Sequence, residues 1–318
     1  MNRRELIQKS ALVGFTASVG SISGLAKAAG RAGTSSKINA PSPLTAAAGG
    51  NLPVALVLGN GAEVLDVAGP LEVFAGATTK DGNMLFAPYM VAATKDPITV
   101  GGGMKIVPDH DFKSAPQPKL IVIPAMDMTD APQEMYDWIR AASKVTDVTM
   151  SICNGAFVLA QTGLLDGKSA TCHHSGFLKF ASMYPKVNLK RGARFVEEGN
   201  LAASGGVSSG IDLTLRVVER YVGYDLTAQV VDGMEYQGKG WLDPNSNETY
   251  AKLPAFTEKN PICAVCLMNA GDNPIKSSHK GKNYYFCSTS HKELFDKHTD
   301  VFDRFLAEDA ALAAKQNL

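Results

Sequence analysis

Two groups of residues in this chain have the side-chain types and spacing that chemistry requires. The first is centred on Cys153, which lies between an alternating β-branched segment at 145–150 and an apolar segment at 156–161. The former is typical of a strand and the latter of a helix, so the sequence predicts a sharp strand-to-helix turn. The free N–H groups and dipole of a helix N-terminus favour a thiolate, so we expect a lowered pKa for Cys153. The alternative is a buried cysteine at the turn with no chemical role.

The second group stands near the end of the chain. Two residues separate its first two cysteines, twenty separate the second cysteine from a third, and three separate the third from a histidine. This spacing is typical of a tetrahedral metal site, so we predict bound zinc or copper. Two alternatives are a zinc ion that only stabilises the fold and a disulfide between the first two cysteines. The predicted ligands are Cys263, Cys266, Cys287 and His291.

Composition excludes some classes of protein. The 318 residues are 45% hydrophobic and 19% charged, as in ordinary globular proteins, and the formal net charge is zero. A neutral chain has no bulk electrostatic attraction to nucleic acid, so we predict no nucleic-acid partner. No apolar run reaches the roughly 18 residues of a transmembrane helix, so we predict no membrane anchor.

The N-terminal residues have the features of an export signal. A charged opening with paired arginines precedes a mildly apolar segment at 10–25, and an A-x-A site follows at 26–28. Residues 1–28 resemble a bacterial twin-arginine signal peptide, which implies recognition by the twin-arginine export machinery and a periplasmic location. An amphipathic N-terminal helix and a general secretory signal are the alternatives. The Ser-, Ala- and Gly-rich residues 29–51 are predicted to form a linker.

Strand and helix patterns alternate along residues 52–236, which predicts a doubly wound parallel-sheet α/β sandwich. Continuous apolar runs at 54–58 and 120–124 indicate buried parallel strands. Pro70 suits the first position of a helix that continues over 71–75. Functional sites in such sheets form at the carboxyl ends of the strands, where the predicted turn lies.

The same region resembles the ThiJ/PfpI superfamily, whose members have a flavodoxin-like, glutamine amidotransferase-like fold. The resemblance depends on residues 61–74, 151–160 and 163–171. It is greatest to the branch that holds isonitrile hydratases and the ligand-like domains of AraC-type regulators. It implies a homodimer and a cysteine-dependent hydrolase or hydratase that acts on a small electrophilic molecule.

Three functional residues can be carried over from this superfamily. Cys153 matches the nucleophile, and Asp66 matches an acidic residue that approaches the sulfur from the first strand–helix loop. A carboxyl beside a thiolate would share its proton, so Asp66 would serve as a general acid or base. His173 matches a histidine near the nucleophile and would relay protons or bind substrate. The alternatives are a helix N-cap for Asp66 and a purely structural role for His173.

The sequence also departs from the superfamily. Asn154 stands where the protease-like branch has histidine and where isonitrile hydratases tend to have threonine. Ala125 and Met126 replace a glycine pair whose backbone helps to form an oxyanion hole. The resemblance therefore implies that backbone N–H groups of Asn154 and of Ala125 or Met126 stabilise negative charge, while the Met126 side chain narrows the pocket.

Residues 260–306 resemble a YHS (TRASH-like) domain, a small treble-clef-like metal module. The usual last ligand of that family is cysteine, whereas this chain has His291. Residues 237–259 would then be a connector, and 307–318 a helical tail.

Two functional hypotheses follow. In the first, the protein is an exported enzyme in which Cys153 attacks, or activates water at, a small electrophilic carbon. In the second, it is a non-enzymatic periplasmic protein that binds copper or zinc, and Cys153 is a redox sensor that oxidises beside Asp66.

Overall fold

The computed structural model describes residues 42–45 and 51–316. The predicted signal at 1–28 lies outside the described residues, as does most of the predicted linker at 29–51. The described residues belong to one compact unit. No helix within these described ranges is long and apolar enough to cross a membrane.

Strands and helices alternate through the first two thirds of the described chain, and a hairpin and two helices follow near its end. The strands are β1 (Leu52–Val57), β2 (Phe86–Ala92), β3 (Ile98–Thr99), β4 (Lys105–Ile106), β5 (His110–Asp111), β6 (Leu120–Ile123), β7 (Val148–Ser151), β8 (Ser169–Ala170), β9 (Asn188–Leu189), β10 (Phe195–Glu198), β11 (Leu201–Ser204), β12 (Ile275–His279) and β13 (Lys282–Phe286). The helices are α1 (Val64–Gly76), α2 (Gln133–Ala142), α3 (Gly155–Gln161), α4 (Phe177–Met183), α5 (Ser209–Val222), α6 (Tyr224–Gly233), α7 (Thr289–Lys297) and α8 (Thr299–Gln316).

A seven-stranded sheet lies at the centre, in the order β10-β11-β7-β6-β1-β2-β5. Its neighbouring strands are parallel except β10, which runs antiparallel to β11. The strand order reverses at β1, whose neighbours are β2 and β6. The carboxyl ends of β1, β6 and β7 therefore lie side by side, where ligand sites of such sheets form.

Both faces of the sheet are buried, because alternate residues along its strands pack into two separate cores. Ala55 and Ile121 face the core that contains α2, α3 and α4. Leu56 and Val122 face the core that contains α1 and α5. Helices therefore cover both faces, and the prediction of a mostly parallel α/β sheet is confirmed.

The prediction that Pro70 begins the first helix is wrong. Helix α1 begins at Val64, and Pro70 lies inside it. A proline there removes the N–H that would bond to the carbonyl of Asp66. The helix continues because Val67 and Phe74, on either side of the proline, are buried against the sheet. Asp66 therefore lies in the first turn of a helix rather than in a loop.

The C-terminal hairpin and helices share a core with the sheet. Phe286, Phe295 and Phe302 are fully buried, and they belong to the same cluster as Phe180 of α4. The rings of Phe295 and Phe302 meet edge to face with centroids 4.9 Å apart. This aromatic packing joins the end of the chain to the helices on one face of the sheet.

Arg191, in the turn between β9 and β10, joins three distant segments. Its guanidinium donates to the Asp309 carboxylate at 2.8 Å and to the Phe305 carbonyl at 3.0 Å, both on α8. It also donates to Glu308 at 2.9 Å and to the Ala251 carbonyl at 2.8 Å. The cation lies over the Phe305 ring, 4.2 Å from its centroid. The side chain is only 4% exposed, so this arrangement, here called the Arg191 clamp, fixes α8 to the turn.

Replacing Arg191 with alanine should lower the free energy of unfolding by about 1–3 kcal/mol, because buried acceptors lose their donor while the carboxylates stay partly hydrated. Urea denaturation measures this change. Lys186→Ala, which breaks an exposed pair with Asp166, is the control and should change stability by less than about 0.5 kcal/mol. Equal effects of the two variants would contradict the role given to the clamp.

Candidate functional site

The sharp turn predicted at Cys153 is present between β7 and α3. Cys153 has a φ of 57°, a left-handed conformation that is strained for a residue with a side chain. Its N–H donates to the carbonyl of Gly205 at 3.1 Å. Gly155 makes the turn possible, because a Cβ there would lie 2.1 Å from the carbonyl oxygen of Ile123. The thiol is thus held at the carboxyl end of the central strands.

The expectation of a lowered pKa for Cys153 is wrong. Burial, and then the nearby charge of Asp66, raise the pKa of this thiol to about 12. Hydrogen bonds from the backbone N–H groups of Asn154 and Val207 oppose this effect but are weaker. Helix α3 has seven residues, and its dipole does not offset the loss of hydration in this apolar surrounding. The resting form of Cys153 is therefore a thiol.

Asp66 is the buried carboxyl group beside this thiol. Its Oδ2 accepts a hydrogen bond from the N–H of Ala125 at 3.0 Å, and its Oδ1 is buried with no hydrogen-bond partner among the described residues. Burial raises the pKa of Asp66 to about 7, the Ala125 hydrogen bond opposes this, and the charge of Glu63 adds to it. Asp66 can therefore take up or release a proton near neutral pH, as the general acid or base role requires.

Two expectations about this carboxyl group need correction. Asp66 is not a helix N-cap, since Glu63 occupies that position and the carboxylate bonds to another segment. The oxyanion N–H is predicted to come from Ala125 or Met126. That of Ala125 bonds to Asp66 instead, so only the Met126 N–H stays a prediction. The N–H of Asn154 bonds to the sulfur of Cys153, so its oxyanion role stays a prediction. The Met126 side chain fills space above Gly59, where an added Cβ would lie 2.7 Å from its sulfur.

His173 has a structural role in this arrangement. Its Nδ1 accepts from the N–H of Ser175 at 3.2 Å and lies 2.7 Å from the Ser175 hydroxyl, so it caps the short helix His174–Gly176. Burial, and then the proximity of His174, lowers the pKa of His173 to about 4. The ring is therefore uncharged at neutral pH, and only its Nε2 is left for a substrate.

A cavity of about 260 Å³ opens beside the turn. Val207, whose N–H faces Cys153, lies in its wall next to His173. Cys172 also lies there, and complete burial, followed by the nearby Cys153, raises the pKa of its thiol. The remaining lining residues are Leu65, His174, Phe177, Gly192, Ala193, Arg194, Gly206, Ser208, Asn247 and Tyr250.

A second cavity, of about 360 Å³, lies at the same edge of the sheet. Gly59, Asn60, Met126 and Asp127 are among the residues around it. Neither cavity is lined by Cys153 or Asp66. The smaller one is lined by His173 and by Val207, whose N–H bonds to the Cys153 sulfur, so it is the candidate substrate pocket.

The four predicted metal ligands converge in the C-terminal part of the chain, where their donor atoms all lie within 4.8 Å of one another. The Cys266 and Cys287 sulfurs are 3.7 Å apart. Nδ1 of His291 is 3.5 Å from the Cys263 sulfur and 3.2 Å from that of Cys287. Tetrahedral zinc with Zn–S bonds of about 2.3 Å places two sulfurs about 3.8 Å apart, so this donor set fits such an ion.

Local backbone structure accounts for this convergence. The turn after Cys263 is closed by hydrogen bonds from the N–H of Cys263 to the carbonyl of Met268 and from the N–H of Leu267 to the carbonyl of Cys263. Burial alone would raise the pKa of Cys263, but backbone N–H groups of the turn, such as that of Cys266, lower it overall. The turn therefore aims two sulfurs at one point and stabilises a thiolate there.

Some residues of the candidate pocket gave no signal in the sequence. Val207 contributes through its backbone N–H, and Cys172 through its position beside Cys153. Asn247 and Tyr250 belong to the predicted connector, yet they line the pocket. The one available signal is Gly206, since a Cβ there would lie 2.2 Å from the ring of His173, and a glycine before a helix indicates such a close approach.

Replacing Asp66 with asparagine should change how stability depends on pH. The folded protein binds this proton more tightly than the unfolded chain, so the contribution of Asp66 to stability falls as pH rises from about 4 to about 7. The variant should lack a fall on the order of 1–3 kcal/mol over that interval. Urea denaturation from pH 4 to pH 8 measures it. Asp166→Asn is the matched control and should behave as the wild type; a wild-type pH profile in Asp66→Asn would show that Asp66 is not perturbed.

The cysteine and histidine cluster should bind one metal ion per chain, measured by elemental analysis of the purified protein. Cys287→Ala removes a direct ligand. It should therefore weaken metal binding by more than the roughly 10–100-fold typical when a residue that only hydrogen-bonds to a ligand is lost. Met268→Ala, at an exposed side chain in the same segment, is the matched control and should retain the metal. A metal-free protein with a Cys263–Cys266 disulfide would contradict the assignment.

Comparison with known proteins places this geometry in a family. The model of the DJ-1/PfpI family matches residues 53–220. Isonitrile hydratase of Pseudomonas putida is 28% identical over 190 residues, which cover 58% of this chain and 78% of that protein. The HTH-type transcriptional regulator CdhR of Pseudomonas aeruginosa is 26% identical over 151 residues, 46% of this chain and 44% of the regulator.

Solved structures agree with this match. A ThiJ/PfpI family protein from Pseudomonas syringae aligns with a TM-score of 0.53 at 25% identity, over 60% of this chain and 77% of that one. Drosophila melanogaster DJ-1beta aligns with a TM-score of 0.50 at 18% identity, over 58% and 98% of the two chains, which shows a shared fold. Since the family model covers more than half of its residues, the chain belongs to the DJ-1/PfpI family.

Proposed function

We propose that the protein is a cysteine-dependent hydratase or hydrolase that acts on a small electrophilic carbon. The observation that carries this proposal is the pairing of Cys153, at a strained turn, with Asp66, a buried carboxyl group that exchanges a proton near neutral pH. The relation to an isonitrile hydratase supports an isonitrile as the first substrate to test. Export by the twin-arginine route and homodimerisation stay predictions from the sequence.

The site chemistry suits addition of water to such a carbon. The sulfur of Cys153 forms a bond to the terminal isonitrile carbon while the thiol proton passes to Asp66. Asp66 then protonates that carbon, which leaves a thioimidate on the enzyme. Water adds to the same carbon, with Asp66 taking one of its protons and giving it to nitrogen. The C–S bond breaks, the remaining hydroxyl proton returns to sulfur, and a substituted formamide leaves.

The N–H groups at the turn suit this sequence of steps. Those of Asn154 and Val207 face the sulfur of Cys153. They can stabilise negative charge on sulfur when the C–S bond breaks. The raised pKa of Cys153 makes a nearby proton acceptor necessary, because few molecules carry a thiolate at rest. Asp66 is the acceptor that the geometry supplies.

A second function is favoured by the separate cluster of three cysteines and a histidine. Its donor spacing fits a tetrahedral zinc or copper(I) ion. Cys287 is exposed and Cys266 is partly exposed, so an ion could exchange with solvent. In this alternative the protein binds or senses a soft metal, and Cys153 serves as a redox sensor rather than a catalyst.

Cys153→Ser should lower the rate of isonitrile hydration at least about 1,000-fold, because a serine hydroxyl is a far weaker nucleophile at neutral pH. Asp66→Asn should lower it about 100- to 10,000-fold through loss of proton transfer. Formamide production from a short alkyl isonitrile, followed by NMR, measures both. The control is Asp166→Asn, at an exposed ion pair. Equal rates in wild type and Cys153→Ser would overturn the enzyme proposal and favour the metal-binding alternative.

A further inference from the structure

The outer wall of the candidate pocket comes from a segment beyond the family match, which ends at residue 220. Asn247 and Tyr250 line the pocket together with Leu65 and Phe177. They belong to residues 244–253, here called the wall segment, which leads from the sheet towards the metal cluster. Two sets of contacts hold this segment in place.

The first set joins the wall segment to the pocket itself. Nη1 of Arg194 donates to Oδ1 of Asn247 at 3.1 Å, and Nδ2 of Asn247 donates to the Ser209 hydroxyl at 3.2 Å. The backbone N–H of Arg194 also donates to the carbonyl of Pro244 at 2.7 Å. Asn247 is 7% exposed, so these are interior contacts rather than surface ones.

The second set is the Arg191 clamp at the other end of the segment. Arg191 donates to the carbonyl of Ala251, and the N–H of Leu253 donates to Asp309 at 2.8 Å. Because Asp309 also binds Arg191, helix α8 and the β9–β10 turn hold the wall segment between them. The metal-bearing end of the chain is thereby connected to the pocket wall.

Two glycines of the sheet region show how closely the wall segment lies. Gly192 has a φ of 77°, and a Cβ there would lie 2.8 Å from Cβ of Ala251. A Cβ at Gly205 would lie 2.6 Å from Nδ2 of Asn247. A side chain at either position would collide with the wall segment. The segment can therefore pack this closely only because both positions are glycine.

Tyr250 is the side chain of this segment that limits the pocket mouth. Its ring stacks on the imidazole of His174, with centroids 5.0 Å apart and planes 21° apart. Tyr250 lines the pocket and is 49% exposed, so this residue lies between the pocket and solvent.

The wall around Tyr250 carries little net charge. The guanidinium of Arg194 is paired with Asp212, a fully buried carboxylate. Burial lowers the pKa of both His173 and His174, so both rings are uncharged at neutral pH. An ion that entered would lose hydration without a free opposite charge to meet it.

From these contacts we propose that Tyr250 and the wall segment determine specificity, and that they admit small uncharged electrophiles to Cys153 while excluding bulky and anionic ones. The proposal deepens the proposed function and rests on it for the identity of the reacting thiol. It requires the C-terminal part of the chain to complete a pocket that adjoins Cys153 of the family domain through Val207 and Cys172.

Alkylation of Cys153 in the full-length protein tests the proposal without any need for turnover. The probes are iodoacetamide, N-benzyliodoacetamide and iodoacetate, and mass spectrometry of the Cys153 peptide gives each rate. Rates are divided by those of free glutathione to remove intrinsic reactivity. In the wild type we expect iodoacetamide to react faster than either of the other two, by about tenfold, the discrimination typical of a closely fitting pocket.

Variants of Tyr250 should change the size preference in opposite directions. Tyr250→Ala should bring the N-benzyliodoacetamide rate to within about threefold of the iodoacetamide rate, because the ring edge is removed. Tyr250→Trp should widen the difference, and Tyr250→Phe should leave it unchanged. Tyr224→Ala, at an exposed ring that stacks on Trp241 instead, is the matched control and should react as the wild type.

The outcomes separate this proposal from the proposed function. Unchanged size preference in both Tyr250→Ala and Tyr250→Trp would overturn the role of Tyr250, even if Cys153-dependent hydration is found. Wild-type iodoacetate rates equal to those of iodoacetamide would overturn the exclusion of anions. If the size preference shifts in the Tyr250 variants but the protein has no hydration activity, the role of Tyr250 is supported and the enzyme proposal is contradicted.

Discussion

The site depends above all on the burial of a carboxyl group beside a buried thiol. Asp66 and Cys153 cannot both carry a negative charge in this apolar surrounding, so at neutral pH they hold at least one proton between them. The strained conformation of Cys153 and the close contact at Gly155 keep the thiol at this place. The sheet, with both faces covered by helices, is the rigid support for that arrangement.

This constraint also explains why the region around Asp66 is less than optimal for stability. A buried carboxylate oxygen with no partner, at Oδ1 of Asp66, is unfavourable in a folded protein. Ser151 and Thr171 also have buried hydroxyls without partners among the described residues. Such groups cluster where function rather than stability has determined the side chain.

The features predictable from sequence are those determined by nearby residues. Continuous apolar runs predicted the central strands, and the spacing from Cys263 to His291 predicted a cluster that the structure confirms. The helix start predicted from Pro70 was wrong, because burial of α1 against the sheet outweighed the preference of proline for the first position of a helix. The pKa of Cys153 could not be predicted, since it depends on burial by segments far along the chain. The same holds for Tyr250, whose neighbour His174 is 76 positions away by numbering (250 − 174).

The Arg191 clamp has a consequence for the order in which the molecule is completed. Its carboxylate on α8 lies 118 positions after Arg191, so this contact forms only once the last helix has been synthesised. The strands of the seven-stranded sheet end at Ser204, and helix α5, which covers one of its faces, ends at Val222. Folding during translation begins from the N-terminal side. A nascent chain therefore presents Cys153 before its pocket has an outer wall. Closure of that wall marks a polypeptide whose translation has passed Asp309.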